Sequence, residues 1–242
     1  MERIKGIILR QIKYNDNGII VDLFTKQHGR MPINIKRRKK VSGKNSSNVR
    51  NIMPLALVEF DCDIHGQERI VTPHTLYNYY CFHDIPFNPL KSTIVMFIAE
   101  FLSNALTEEG PNTLLYDYVE SSIKWLDCCE QTFNNFHIVF LTRLSIFTGI
   151  YPNAEKTNNN LYFDLIAGEY KENRPNHPHF LAQDEACAIP YILNMNIDNM
   201  HLYNIRREQR QRILEIIIEY YRIHLSGFRE LKSLDVLREV FD

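Results

Sequence analysis

The N-terminal third of the chain is patterned as short strands separated by polar turns. Met31, Ile33 and Ile35 alternate with proline or polar residues, a period of two that places three apolar side chains on one face of a strand. Similar patterns and intervening turn residues predict five strands, at 4–13, 19–26, 31–36, 55–62 and 68–72. Five short strands favour a small closed barrel, because closure removes the edges that an open sheet exposes.

Beyond Pro73 the apolar spacing changes to that of helices. Ile94, Phe97, Ile98 and Phe101 fall at three- and four-residue intervals, the stripe of a helix packed on a core. Helices are predicted at 91–107, 113–130, 133–149, 205–224 and 230–241, and short strands at 161–165 and 168–171. The predicted fold class is α+β, with a strand domain at 1–78, a helical domain in two parts at 79–152 and 183–242, and an irregular or β insertion at 153–182.

Positive charge is concentrated near the start of the chain. Residues 1–50 contain thirteen lysines and arginines and three acidic residues, a net charge of +10, although the whole 242-residue chain has a net charge of −1. Five of these cations are consecutive, at 36–40, and they continue the third predicted strand into a segment rich in Ser, Asn and Gly. A field of one sign concentrates polyanions, so the pattern predicts a basic module that binds nucleic acid or an acidic surface.

The consecutive cations also have simpler explanations. Such a run is usually a solvated face, and this one is similar to a nuclear localisation peptide, but it continues a strand rather than lying in a tail. We therefore favour nucleic-acid binding, governed more by charge than by stacking, because Tyr14 and Phe24 are the only aromatic residues before Phe60. Phe24, beside Leu23, is as compatible with a core position as with a stacking platform.

Several other classes of protein are not indicated. No stretch approaches the roughly 20 apolar residues of a membrane span, and the first residues lack the apolar core of a signal peptide, so a cytoplasmic protein without membrane contact is expected. The five cysteines suggest neither a disulfide framework nor a paired metal motif. We expect neither catalysis nor a cofactor, because phosphate-loop, HExxH and nucleophile-elbow motifs are missing. Asp61 and Asp63 share a strand face, which is more typical of a solvated edge than of a metal pair.

The sequence resembles the RecO family of bacterial recombination mediators in three places. The run KGIILRQIKYNDNGIIVDLFTKQHGRMPINIKRRKK has the family's order of strand, turn, strand, His-Gly-Arg, strand and basic loop. The segment FLTRLSIFTGIYPN is similar to the helix ending in Gly that precedes the family's central insertion. The segment RIHLSGFRELKSLDVLREVF is similar to the family's closing helical region, with its Lys232-Ser233 pair.

The resemblance implies an OB-fold followed by a helical domain. It also implies a role in DNA repair and recombination at the nucleoid: binding of single- and double-stranded DNA, strand annealing, and loading of RecA, with RecR, onto DNA coated by single-stranded DNA-binding protein. The expected DNA contacts are Lys5, Arg10, Lys13, Lys26, Arg30, Lys36, Arg37, Arg38, Lys39, Lys40 and Lys44. The alternative from another class is an adaptor whose OB-fold binds protein and whose basic loop binds RNA or an acidic partner.

The insertion departs from the family pattern. Many RecO proteins carry a four-cysteine zinc site there, and a structural zinc needs four ligands. Between 150 and 190 this chain has Cys187, His177 and His179, and the spacing of the two histidines is expected to splay their rings apart. We therefore expect no metal, and predict that strand pairing around 161–170 and packing of Tyr162 and Phe163 hold the segment.

Arginines crowd the first half of the predicted helix at 205–224. Cations at a helix start oppose the macrodipole, so either acids elsewhere in the chain pair with them or they serve a partner; the sequence leaves both open. The resemblance implies that the helical domain binds the acidic, Phe-ended tail of single-stranded DNA-binding protein. Arg206 and Arg210 are the candidate contacts for that tail.

Overall fold

The computed structural model describes residues 1–15, 18–36, 52–64, 70–107, 110–154 and 161–240. They form two compact units, one of Met1–Cys128 with Leu231–Val240 and one within Cys129–Glu230. The last helix therefore belongs to the same unit as the N-terminal sheet. The domain boundaries inferred from sequence patterning stay predictions. Among the described helices, none combines the length and the apolar character that a membrane crossing requires.

The first unit contains a five-stranded antiparallel sheet. Its strands are β1 (Glu2–Asn15), β2 (Gly18–Thr25), β3 (Gly29–Lys36), β4 (Leu57–Cys62) and β5 (Thr75–Asn78), in the spatial order β3-β2-β1-β4-β5. The predicted alternation in β3 is confirmed, since Ile33 and Ile35 are buried in the core of the sheet and Met31 packs against that core. The sheet is consistent with an OB-fold.

The edge of the sheet differs from the expectation in two ways. The fifth strand, predicted at 68–72, lies instead at Thr75–Asn78; residues 65–69 are outside the described part of the chain. Val71 forms an isolated parallel bridge with Ile33, and Pro73, which cannot donate to a ladder, separates this bridge from β5. The five-stranded ladder itself is not closed, so the predicted barrel is not confirmed.

The long predicted helices are confirmed with shifted ends. They are α1 (Pro89–Ala105), α2 (Thr113–Cys128), α3 (Phe136–Phe147), α6 (Arg207–His224) and α7 (Ser233–Val240), and two short helices, α4 (Gln183–Ala186) and α5 (Ile189–Asn194), precede α6. The side chain of Asn88 caps α1 by accepting from the Lys91 N–H, and Pro89 occupies the first turn. The predicted stripe residues Ile94, Phe97, Ile98 and Phe101 are buried, as are Leu102 and Leu106 on the same face.

A buried carboxylate holds the segment between the sheet and α1. Asp127, near the end of α2, accepts from the main-chain N–H groups of His83, Asp84 and Ile85 at 2.9–3.1 Å. The side chain of Lys91, which is 1% exposed, donates to the Asp127 carbonyl oxygen and pairs with Asp84. The chain therefore enters α1 with its polar groups satisfied, as burial requires.

The second unit combines helices with a small sheet. The predicted short strands are confirmed as β6 (Tyr162–Asp164) and β7 (Glu169–Lys171), and β8 (Phe180–Leu181) pairs with the other side of β6. Phe163 is buried and its ring lies 5.1 Å from that of Tyr170, edge to face. As predicted, strand pairing and aromatic packing hold this insertion.

Candidate nucleic-acid interface

The structure describes the side chains of four predicted DNA-contacting residues: Lys5, Arg10, Lys26 and Arg30. Lys13 and Lys36 lie on β1 and β3, but their side chains are outside the described part. The remaining candidates, Arg37, Arg38, Lys39, Lys40 and Lys44, also lie outside it. The described part of the site therefore lies on the sheet. We define the basic segment as residues 36–44; it begins at the end of β3.

Arg10 and Arg30 share the carboxylate of Asp22. The three residues lie on the three neighbouring strands β1, β3 and β2, and we call them the arginine–aspartate cluster. Arg10 Nε donates to Asp22 Oδ2 at 2.9 Å, and Arg30 Nη2 donates to the same oxygen at 2.6 Å. The Asp22 side chain is 7% exposed, so its negative charge is almost entirely enclosed by the two guanidinium groups. The cluster keeps one net positive charge.

Arg30 is committed to contacts inside the first unit. Its side chain is 14% exposed, and Nη1 donates to the carbonyl oxygen of Ser103 at 2.8 Å, near the end of α1. A cation at a helix C-terminus satisfies unpaired carbonyls and complements the macrodipole. Arg30 thus joins β3 to α1, and we assign it to the structural frame of the unit.

Arg10, in contrast to Arg30, is accessible to solvent. Its side chain is 48% exposed, and its two terminal amino nitrogens have no hydrogen-bond partner among the described residues. The strand pairing shifts between Ile8 and Arg10: Ile8 is opposite Leu23, Arg10 is opposite Asp22, and Leu9 is the additional residue of a β-bulge. The bulge brings Arg10 opposite the carboxylate, a common use of bulges beside functional sites.

Lys5 and Lys26 lie beside a pair of tyrosines that sequence reasoning did not associate with them. The ammonium of Lys5 is 4.8 Å from the ring centre of Tyr79, and that of Lys26 is 5.9 Å from the ring centre of Tyr116. The two hydroxyl groups are 3.1 Å apart, and burial raises the pKa of both tyrosines far above the ordinary value. Lys26 also pairs with Asp117 at 2.7 Å. Cation–π contacts of this kind anchor the lysine stems on the unit.

Phe24 is a core residue. It is fully buried, and its ring centre is 6.0 Å from that of Tyr116. This resolves the alternative between core and stacking platform in favour of the core. Phe24 therefore offers no surface for base stacking.

Asp61 and Asp63 have separate partners. Hydrogen bonds from Thr75 and Arg3 lower the pKa of Asp61. The N-terminal amino group and His74 lower the pKa of Asp63 to about 2. Within the described ranges, no group of three or more His, Cys, Asp or Glu side chains is arranged to hold a metal ion.

The two histidines of the insertion each bind a carboxylate. His177 Nε2 lies 3.2 Å from Asp164 Oδ2, and His179 Nδ1 lies 2.8 Å from Glu219 Oε1. Their rings are 6.4 Å apart and inclined by 30°, so the expectation that they splay apart is wrong. Each ring is bound to its own carboxylate rather than to a shared partner.

The arginines at the start of α6 divide into two groups. Arg210 Nε donates to Asn135 Oδ1 at 3.2 Å and Nη2 to the Ile205 carbonyl oxygen at 3.0 Å, while Arg212 binds Glu185 through two nitrogens. These contacts favour the structural alternative for Arg210 and Arg212. Arg206 is exposed, and its main-chain N–H is capped by the Gln209 side chain.

An apolar groove of about 570 Å³ lies in the second unit, and Ile205, the residue before Arg206, contributes to its lining. Its walls come from α5, the segment 203–205 and α6, and its lining includes the apolar residues Tyr191, Tyr203, Ile205 and Ile213 and the charged residues Glu185, Glu208 and Arg212. Tyr191 is largely exposed. The groove is large enough for one or two aromatic side chains.

Comparisons with known proteins cover nearly the whole chain. The family model described as Recombination protein O N terminal matches residues 1–72, and that described as Recombination protein O C terminal matches residues 86–235. The DNA repair protein RecO of Phocaeicola vulgatus is 40% identical over 100% of this chain and 99% of its own length. The DNA repair protein RecO of Bacteroides fragilis is 40% identical over 100% of both chains. The protein of that name from Flavobacterium psychrophilum is 30% identical over 98% of both.

Proposed function

Because the chain belongs to the RecO family of DNA repair and recombination proteins, we propose that it is a recombination mediator that binds DNA without catalysing a reaction. In this proposal the basic N-terminal module binds single- and double-stranded DNA and anneals complementary single strands. With RecR, the protein loads RecA onto DNA coated by single-stranded DNA-binding protein. Annealing and loading require binding energy rather than a catalytic group.

The position of Arg10 relative to the basic segment supports DNA binding most strongly. Arg10 and Asp22 lie in one row of the sheet, and Lys36 at the end of β3 pairs with Gly18, four residues from Asp22 along β2. At about 3.3 Å per residue, the basic segment starts about 13 Å from this row. That distance spans about two phosphates of an extended single strand, so one strand can contact both.

An annealing assay tests the proposal against the adaptor alternative. Complementary oligonucleotides are mixed with the protein without nucleotide or metal, and pairing is followed by fluorescence quenching. A mediator accelerates pairing, whereas an adaptor binds the strands without accelerating it. Repeating the assay with RecR and with DNA coated by single-stranded DNA-binding protein tests the finer part of the proposal. If oligonucleotide binding is missing, both the annealing and the loading proposals fail.

We also propose that the second unit binds the acidic, Phe-ended tail of single-stranded DNA-binding protein. The apolar groove supports this, because its wall fits an aromatic residue, and the exposed Arg206, next in sequence to the lining residue Ile205, fits a carboxylate. Arg210 contributes through the fold in this proposal, since it is bound to Asn135 and the Ile205 carbonyl.

Charge-reversal variants separate these two roles. Arg206→Glu is expected to abolish binding of a labelled tail peptide while leaving the melting temperature and oligonucleotide binding almost unchanged. Arg210→Glu is expected to lower the melting temperature, because it buries a carboxylate beside Asn135. Arg229→Glu, at another exposed position of the same unit, is the matched control. Peptide binding that survives Arg206→Glu removes this residue from the tail site.

A further inference from the structure

The arginine–aspartate cluster contains a buried acid in the middle of a surface proposed to bind a polyanion. An acid beside a DNA site normally weakens binding by repulsion. Here the Asp22 carboxylate is enclosed, and each of its oxygens accepts from a guanidinium: Oδ1 from Arg30 at 3.2 Å, and Oδ2 from both arginines. Its charge is therefore compensated within the protein, and its geometry directs one arginine outward.

Two features fix Arg10 in place. The bulge at Leu9 places Arg10, rather than Leu9, opposite Asp22. The carboxylate then binds Arg10 through Nε at 2.9 Å, which leaves the end-on edge of the planar group, formed by its two terminal nitrogens, without a partner among the described residues. These are the donors that bind two phosphate oxygens at once.

Asp22 is itself held from the other side. Arg30 contacts both carboxylate oxygens and continues to the Ser103 carbonyl oxygen at the end of α1. The carboxylate therefore cannot turn toward solvent without breaking its hydrogen bonds to Arg30. The orientation of Arg10 therefore depends on Asp22 and, through Arg30, on the packing of α1 against the sheet.

We propose that Asp22 is a positioning residue that orients the Arg10 guanidinium to bind a phosphate of single-stranded DNA in a bidentate manner. The inference rests on the proposed function, and it adds that an acidic residue strengthens DNA binding. Preorganisation avoids the cost of ordering a long side chain upon binding, which corresponds to about three- to tenfold in affinity.

The test compares affinities for a fluorescent oligothymidylate over a range of salt concentrations. Arg10→Lys keeps the charge but loses the fork, so we expect affinity to fall about three- to tenfold with little change of the salt slope. Asp22→Asn is also expected to weaken binding of the oligonucleotide. Because Asp22 acts through Arg10, it should add little to the loss in the Arg10→Lys background.

The matched controls are Arg3→Lys and Asp61→Asn, which alter an arginine–aspartate pair with an exposed arginine and a buried aspartate, on the same strand β1 and its neighbour β4. We expect both controls to bind the oligonucleotide like the wild type. Tighter binding by Asp22→Asn would identify Asp22 as an ordinary repulsive acid and overturn the proposal. So would additive effects of the two cluster substitutions.

Further comparisons distinguish a folding defect from a loss of the positioning role, and the positioning role from the proposed function. If Asp22→Asn does not fold, Arg10→Lys still decides the matter, because unchanged affinity removes the bidentate contact. Asp22→Glu, which keeps the charge on a longer stem, is expected to recover part of the affinity. If the wild type does not bind the oligonucleotide at all, the proposed function fails as well. Wild-type binding that depends on the basic segment but not on Arg10 overturns the positioning role alone.

Discussion

The Glu100 carboxylate on α1 accepts a hydrogen bond from the main-chain N–H of Ser233, at 2.8 Å, across a separation of 133 residues in sequence. It also accepts from the Lys232 N–H at 3.1 Å and from the Ser233 hydroxyl group. The start of α7 is thereby capped by a side chain from another helix, which satisfies orphan N–H groups and complements the helix dipole. Leu231 and Leu237 are buried on either side of this contact.

Glu100→Ala is therefore expected to destabilise the first unit. Loss of the cap and of the partly buried charge–dipole contact should lower the free energy of unfolding by about 1–3 kcal/mol. Urea denaturation followed by circular dichroism measures this free energy of unfolding. Glu239→Ala, at an exposed position of α7, should change stability by no more than about 0.5 kcal/mol. Equal stabilities of the two variants would contradict this account of how α7 is attached.

Stability should also fall in acid because of Asp127. Burial raises the pKa of this carboxyl, but the N–H groups of Ile85, His83 and Asp84 outweigh burial and hold the pKa below its ordinary value. A depressed folded-state pKa contributes stability that is complete above the unfolded-state value, about 4, and is lost as the pH falls through the folded-state value. Unfolding at pH 7, 4 and 3 tests this dependence.

Asp127→Asn should be less stable than the wild type at pH 7 by about 2–4 kcal/mol, since an amide cannot serve all the converging donors. The difference should narrow as the pH falls below about 4, where the carboxyl of the unfolded wild type takes up a proton before that of the folded protein does. Asp117→Asn, an exposed ion-pair position on the same helix, provides the control, with an expected change below about 1 kcal/mol. A difference that stays constant down to pH 3 would remove the ionised carboxylate from the explanation.

The purified protein is expected to contain less than one zinc per chain and to keep its melting temperature in a chelator. His177 and His179 are each bound to a carboxylate, and the exposed Cys187 thiol lies 2.8 Å from the Asp184 carbonyl oxygen. Elemental analysis and thermal unfolding with and without chelator provide the measurement. Stoichiometric zinc would contradict the expectation, and loss of that zinc in Cys187→Ser would then locate the site.

The long elements were predictable because their patterns are repeated many times. The apolar stripe of α1 and the alternation of β3 each extend over several positions that agree with one period. The structure contains both the helix and the strand that these periods predict. The segment from β8 to α5 offered two to six residues per element, too few for a period to be recognised. The fifth strand was misplaced because two short apolar runs flank Pro73, one containing Val71 and the other Leu76. Only tertiary pairing shows which of the two runs joins the edge of the sheet as a strand.

The candidate site was predictable in its charge but not in its geometry. Counting cations identified Arg10 and Arg30 equally, although one is half exposed and the other is bound to the end of α1. The difference depends on a bulge at Leu9, which shifts the register by one residue, and on a helix 73 residues away from Arg30. Neither leaves a local signal in the sequence. Asp22 was missed for the same reason, since an isolated acid in a basic region carries no indication of its partners.

The salt dependence of single-strand binding tests the central claim most directly. The wild type is compared with a variant in which Arg37, Arg38, Lys39 and Lys40 are all changed to Ala. If these cations neutralise phosphates, removing roughly four contacts at about 0.7 per phosphate should flatten the plot of log K against log salt by about 3 and weaken binding by orders of magnitude at low salt. The variant should remain folded, with weak binding that is indifferent to sequence. An unchanged slope would contradict the assignment of DNA binding to the basic segment and leave Lys5, Arg10, Lys13 and Lys26 on the sheet as the remaining candidates.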